Sequence, residues 1–360
     1  MAAKPKTTPG PSAQALATFE QRFGKAFGQS VLQRENGPLY QVIPTGSVAL
    51  DYALGVGGLP EGRLIELWGP ESAGKTTVAI LMMVEAQRKH PDKFTAIVDM
   101  EQTWDPAYAA KLGLDNERNY VFQPNTAEEV ADAIKMLMET GYISLIQLDS
   151  IGAMIPQEEV EKNAEDATVG TNAKIVTRMV KIAAVSARKH RSTLVIVNQV
   201  RDKISFRGGT TTGGGWALKH VTTLKLKFAK TDTYTIGKDD AVEQVGQVVT
   251  IKVEKNKVAP PGRVAKISIF NQETEQYGPM GIDRAHEAWT LGRRLKLFKQ
   301  AGAFYTLPDD SKHQGEARVL EHLRAAPGLV EQIRTMALAT VAHEIVDDGP
   351  ATMDDGGDDE

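Results

Sequence analysis

The stretch Gly69-Pro-Glu-Ser-Ala-Gly-Lys-Thr-Thr77 constrains this chain more than any other. It fits the pattern G-x-x-x-x-G-K-[ST], with Gly69, Gly74, Lys75 and Thr76 in the fixed places. Chemistry explains the spacing. Two glycines let a short loop curl until consecutive backbone N–H groups point inward at phosphate oxygens. Lys75 brings positive charge to the outer phosphates, Thr76 offers a hydroxyl to Mg2+, and the helix beginning there adds the positive end of its dipole. Pro70, Glu71, Ser72, Ala73 and Thr77 belong to the same loop. Its flanks support the match. Arg63-Leu-Ile-Glu-Leu-Trp68 reads as a strand and Thr77 to Lys89 as a helix. The competing reading is a glycine-rich structural turn.

From about Leu39 to Asn271, strands alternate with helices, which predicts an α/β fold with a mostly parallel central sheet covered on both faces. Phe94 to Val98, Ile143 to Leu148 and Thr193 to Val197 read as strands. A helix starts near Pro106, and residues 126–140 form another, opened by the capping box Thr126-Ala-Glu-Glu129 and closed by Gly141. Val221 to Phe228, Val248 to Val253 and Ala265 to Phe270 alternate apolar with polar residues, the mark of an antiparallel extension. Residues 1–38 read as an arm with a disordered start. In it Leu16, Phe19, Phe23 and Phe27 give one helical apolar face that must dock on the body or on a neighbouring subunit. Residues 272–345 read as a small α/β C-terminal domain and 346–360 as an acidic disordered tail.

The 360 residues contain no cysteine, which excludes disulfides and cysteine-ligated zinc and is compatible with a reducing cytoplasm. No apolar run approaches a membrane span and no secretory signal opens the chain, so a cytoplasmic protein with no membrane partner is expected. The formal net charge of −4 hides a segregation. Asp347, Asp348, Asp354, Asp355, Asp358, Asp359 and Glu360 fall in the tail, and without them the body stands at +3. Such a tail is either a solubilising end or a competitor with DNA for basic surface.

Groups at the C-terminal ends of neighbouring strands complete a phosphate site in folds of this kind. Asp149 follows the apolar strand Ile143 to Leu148 and fits a carboxylate that holds Mg2+. Gln147 is a polar intrusion in that strand and needs a partner. Glu101, just past Val98, is a candidate to orient or deprotonate an attacking water, and Asp99 competes for that task. Gln199 could feel a terminal phosphate through its amide, or make a plain strand-end hydrogen bond.

Together these residues resemble the bacterial RecA recombinase family. The loop is similar to that family's own, down to Pro70, Glu71 and Ser72. Thr45 to Pro60, Asp105 to Gly113, Asn198 to Ile204, Thr210 to Gly214 and Lys255-Asn-Lys257 resemble further family segments, and the likeness covers roughly residues 12–325. The resemblance implies a RecA-type P-loop ATPase core that binds ATP and Mg2+. Glu101 would activate water, with Lys75 and Gln199 as its catalytic companions. Asp105 and Tyr108 would contact adenine, Tyr108 by stacking. Lys255 and Lys257 would reach the ATP of a neighbouring subunit.

It also implies two DNA-binding loops, around Glu158 to Gly170 and Arg201 to Gly215. The glycines and threonines of the second, including Thr211, Thr212, Gly213 and Gly214, supply backbone N–H groups and small hydroxyls that hold phosphates without reading bases. Without the resemblance, the same stretch would read as a flexible linker. Arg201, Lys203 and Arg207 add charge, and Phe206 and Val169, next to Gly170, would wedge between bases. Lys174, Arg178 and Lys181 lie on one helical face, which supports DNA over a merely solvated surface.

Departures from the family pattern are visible. Val169 replaces a usual Met, the second loop is shorter before its threonines, and an additional glycine precedes Trp216. His220 replaces an aromatic residue at a subunit contact. The implied activity is a DNA-dependent ATPase that forms a helical filament on single-stranded DNA, pairs it with a homologous duplex and exchanges strands. Two rivals use the same core: a ring helicase or motor, and an ATP-gated assembly switch that prompts a repressor to cleave itself.

Overall fold

The computed structural model describes residues 41–161, 171–202, 210–212, 215–237 and 242–347. The arm helix with Leu16, Phe19, Phe23 and Phe27 lies outside the described residues. So do Val169, Gly170, Lys203, Phe206, Arg207, Gly213, Gly214 and the tail from Asp348.

The chain begins its described course with β1 (Val42–Ile43), α1 (Val48–Leu54) and β2 (Leu59–Pro60), the two short strands pairing antiparallel. β3 (Leu64–Gly69) leads into α2 (Lys75–Lys89), then β4 (Phe94–Asp99), α3 (Pro106–Lys111), β5 (Asn119–Phe122) and α4 (Ala127–Glu139). β6 (Ile143–Asp149), α5 (Gln157–Glu161), α6 (Thr171–His190), β7 (Thr193–Asp202), β8 (Thr210–Thr212) and α7 (Gly215–Val221) follow. β9 (Leu224–Ile236), β10 (Glu243–Asn256), β11 (Val264–Phe270) and β12 (Gly281–Ile282) complete a ten-stranded sheet among the described residues.

The sheet runs β12-β11-β10-β9-β3-β7-β6-β4-β5, with β8 paired to β7 off that path. Every pair from β9 through β3, β7, β6 and β4 to β5 is parallel, and β9 to β12 are joined antiparallel. This is the expected parallel centre with an antiparallel extension. β6 is buried at every position, as a strand covered on both faces must be. Alternation along β3 divides the core. Ile65 and Leu67 join Val78, Met82 and Met83 of α2 on one face, while Leu64 joins Val130, Ile134, Val180 and Ala183 of α4 and α6 on the other.

Local chemistry sets the element ends. Thr126 caps α4 by accepting from Glu129 N at 3.2 Å, as expected. The reciprocal arm differs from the usual box, since Glu129 accepts from Asn125 N at 2.7 Å, one residue further back. Gly141, at φ +76°, ends the helix in the left-handed region.

The remaining elements are α8 (Arg284–Arg294), β13 (Lys299–Ala301), β14 (Phe304–Thr306), β15 (Lys312–Gln314), α9 (Gly315–Ala325) and α10 (Pro327–Asp347). They surround Trp289, Phe298, Leu307, Val319, Leu323 and Ile333, and Val48 of α1 joins that cluster. Buried polar bonds reinforce the junction with α1. Arg334 Nε donates to Asp51 Oδ2 at 2.7 Å, and Glu287 accepts from Ser47 Oγ and Val48 N, both at 2.8 Å.

Candidate nucleotide and nucleic-acid site

The phosphate loop hangs between the end of β3 and the start of α2. A Cβ on Gly69 would stand 2.4 Å from the Phe228 carbonyl oxygen, so no side chain fits there. Gly74, at φ +79°, opens α2 without a capping side chain, leaving its first N–H groups pointed into the loop. Gln247 Nε2 props the loop from β10 by donating to Ser72 O at 3.0 Å. Lys75 folds back over it, donating to Gly69 O at 3.0 Å and Pro70 O at 2.6 Å. Burial pushes the Lys75 ammonium below its ordinary pKa, while Asp149, Glu71 and Glu101 pull the other way. An anionic ligand in the loop relieves that desolvated cation.

Asp149 ends β6 beside the loop. Its Oδ2 accepts from Thr76 Oγ1 at 2.9 Å and from Gln147 Nε2 at 3.2 Å, which gives the Gln147 amino group a partner and leaves its Oε1 without one. Burial raises the Asp149 carboxyl to about 6, against the Thr76 hydrogen bond. A buried carboxylate next to a threonine hydroxyl is a pair of hard oxygen donors. No group of three or more His, Asp or Glu among the described residues could hold a metal ion. The Thr76–Asp149 pair therefore fits a cation that fills its shell with phosphate and water, the habit of Mg2+.

The structure separates the two rival carboxylates at the end of β4. Asp99 is buried, and its Oδ2 accepts from Trp104 N at 3.0 Å and Gln123 Nε2 at 3.1 Å, so it braces the following loop. Glu101 is exposed, and its Oε1 accepts from Gln199 Nε2 at 3.0 Å. Asp105 caps α3 by accepting from Ala107 N and Tyr108 N, at 2.8 and 3.0 Å. Tyr108 OH lies 2.9 Å from Thr77 Oγ1, so its half-buried ring borders the loop.

Lys255 and Lys257 leave the end of β10 for the C-terminus of α7. Lys257 Nζ donates to His220 O at 2.8 Å, and Lys255 Nζ donates to Lys219 O. Cations belong at that negative helix end. Burial and the neighbouring Lys257 hold the Lys255 ammonium below its ordinary range.

The DNA-binding expectations divide. Lys174, Arg178 and Lys181 are exposed on α6, while Val176, Met179, Val180 and Ala183 of that helix are buried. The three cations therefore share an outward face, beside an open groove lined by Ala173, Thr177 and Ile182. Arg201, Thr211 and Thr212 are placed through the antiparallel ladder of β7 and β8, in which Arg201 pairs with Thr211 and Val200 with Thr212. Gln199 thus lies on β7, three residues before its end at Asp202.

The family model described as RecA N-terminal domain matches residues 12–275. The chain belongs to the RecA family. Protein RecA of Heliobacterium modesticaldum is 37% identical over 325 residues, covering 90% of each chain. Protein RecA of Frankia casuarinae is 38% identical over 323 residues, covering 89% of each. A crystal structure of the RadB recombinase overlays 64% of this chain and 96% of its own, with 25% identity and a TM-score of 0.48.

Several residues of this RecA-family site escape sequence reasoning. Gln247 comes from a strand far along the chain, and no local pattern marks it as a prop of the loop. Glu66 and Asn198 are also missed, although Glu66 leaves a trace as a carboxylate inside the apolar run Leu64 to Leu67.

Proposed function

We propose that this chain is an ATP-dependent DNA recombinase that assembles as a helical filament on single-stranded DNA, pairs it with a homologous duplex and exchanges strands. ATP hydrolysis to ADP and phosphate resets the assembly. The observation that carries this reading is the 3.0 Å bond from Gln199 to Glu101, which ties the candidate base to the strand entering the second loop.

In this reading Lys75 and the backbone of Gly69 to Thr77 bind the phosphates, and Asp105 and Tyr108 border the adenine. Thr76 and Asp149 hold Mg2+, which supplies positive charge to the phosphate oxygens when bound. Glu101, exposed and free of the bracing bonds that occupy Asp99, orients the attacking water and accepts its proton. Gln199 exchanges Glu101 for the terminal phosphate, and β7 carries the change to the loop beyond Asp202. Lys255 and Lys257 reach the nucleotide of the adjoining subunit, which makes assembly and ATP binding mutually dependent. Phosphate contacts from the loops and from Lys174, Arg178 and Lys181 hold DNA without reading bases.

The domain reading accompanies this function: arm 1–38, ATPase core 39–271, C-terminal domain 272–345 and acidic tail 346–360. No described helix is long and apolar enough to cross a membrane, and a cytoplasmic location suits the activity. ATP turnover measured with and without single-stranded DNA tests the proposal. Stimulation by DNA is expected, and turnover indifferent to DNA would overturn it.

A further inference from the structure

Glu66 interrupts the apolar run of β3 and is completely buried. Its Oε1 accepts from Asn198 Nδ2 on β7 at 3.0 Å. Lys225 Nζ, from β9 on the other side, stands 3.3 Å from Oε2, and Oε2 has no hydrogen-bond partner. Trp68, two residues along β3, lies under the ammonium groups of Lys225 and Lys227 at 4.8 and 4.9 Å and donates to Glu254 Oε2 at 2.8 Å. A polar band thus crosses the adjacent strands β7, β3, β9 and β10.

A buried, incompletely bonded carboxylate is a poor stabiliser, because its desolvation offsets much of its ion pairing. Its location suggests a different use. Asn198 immediately precedes Gln199, so one Glu66 oxygen grips the end of the strand facing Glu101. Lys225 donates to that same oxygen at 3.5 Å while lying close to the other, and it pairs with Lys255 in the neighbouring strand. Lys255 pairs with Lys225 across the β9–β10 ladder and sits on the last carbonyls of α7, where Lys219 and His220 are the ionisable residues. The negative charge of Glu66 favours its ammonium, and Lys225 and Lys257 oppose it. Lys227 and Glu254 flank the band at Trp68.

We propose that Glu66 is a positioning residue that links the two nucleotide-sensing ends of the subunit. Held between Asn198 and Lys225, it fixes the part of β7 carrying Gln199 and offsets the positive charge gathered where Lys225 pairs with Lys255. The inference rests on the reading of those lysines as contacts to a neighbouring subunit's nucleotide.

Two readouts on the full chain test it. The first needs no nucleotide: the pH dependence of Lys255 acetylation by acetic anhydride, followed by mass spectrometry. Glu66→Gln keeps an oxygen for Asn198 but removes the charge. Its Lys255 midpoint should move to lower pH by about half a unit or more, and adding Lys225→Gln should move it back. Lys225→Gln alone should raise the midpoint, which keeps the test decisive if Glu66→Gln does not fold. The second readout is ATP-dependent assembly on oligothymidylate across alkaline pH, expected to fail earlier in Glu66→Gln and to recover in the double variant.

An unmoved Lys255 midpoint, or one that Lys225→Gln does not restore, overturns the proposal. A shifted midpoint with unchanged assembly at every pH overturns the positioning role. Normal ATP-dependent assembly of Lys255→Gln would instead overturn the subunit-bridging reading of that lysine, and the acetylation midpoints would still decide the link to Glu66.

Discussion

Thr76 donates its hydroxyl proton to Asp149 Oδ2 across 2.9 Å, joining the first turn of α2 to the end of β6. That bond brings residues 73 positions apart onto one side of the phosphate loop, with Lys75, the residue before Thr76, buried beside them.

Lys75→Ala removes the cation that spans the loop. A charge-assisted hydrogen bond contributes about 1.5–3 kcal/mol, so nucleotide affinity should fall about 10- to 100-fold. ATP-dependent filaments on single-stranded DNA should disappear in negative-stain micrographs.

Glu101→Gln tests the division of labour between the β4 carboxylates. Loss of a general base typically costs about 100- to 10,000-fold in rate. Turnover should fall in that range while ATP-dependent assembly persists. Asp99→Asn should chiefly lower the melting temperature, since Asp99 accepts from Trp104 and Gln123.

Arg334→Ala leaves Asp51 buried without its cationic partner and deprives Gly57 O of its donor. Breaking such a pair from one side costs about 3–5 kcal/mol. Chemical denaturation should register that loss, and adding Asp51→Ala should recover part of it.

Stability should fall as pH rises between about 4.5 and 8. Burial lifts the Glu287 carboxyl from 4.5 to about 8, and the bonds from Ser47 and Val48 offset only part of that rise. The folded state therefore binds a proton there that the unfolded chain has lost, giving a slope of up to about 1.4 kcal/mol per pH unit. Asp51, raised to about 6 by burial despite Arg334, acts in the same direction over the lower part of the window. Denaturation of Glu287→Gln across pH should show a flatter profile.

Truncation after Ile345 removes all seven acidic residues of the tail. DNA affinity should rise, with an altered salt dependence, because local cations dominate such binding. A salt series of binding isotherms for both lengths measures the difference.

The strand–loop–helix around Gly69 to Thr77 was legible because its chemistry is local. Glycines, lysine and threonine must be consecutive there, and the apolar strand before them is buried on both faces. Asp149 and Gln199 were legible for a related reason, since each follows an apolar strand whose end is a polar residue. Asp99 and Glu101 were not separable, because their roles depend on Trp104 N and Gln123, which sequence does not bring to them. Lys255 and Lys257 drew a role from family likeness alone. Their seats on the Lys219 and His220 carbonyls arise from a β10–α7 approach that no periodicity reveals. β5 was missed, as four residues with three exposed carry no inward–outward rhythm.

α7 has seven residues, fewer than two turns. So brief a coil keeps few internal bonds in reserve and owes much of its persistence to whatever is docked on its ends. An ammonium lured from its last carbonyls would let it fray, giving slack to the backbone ahead of it while the strands beneath stay still.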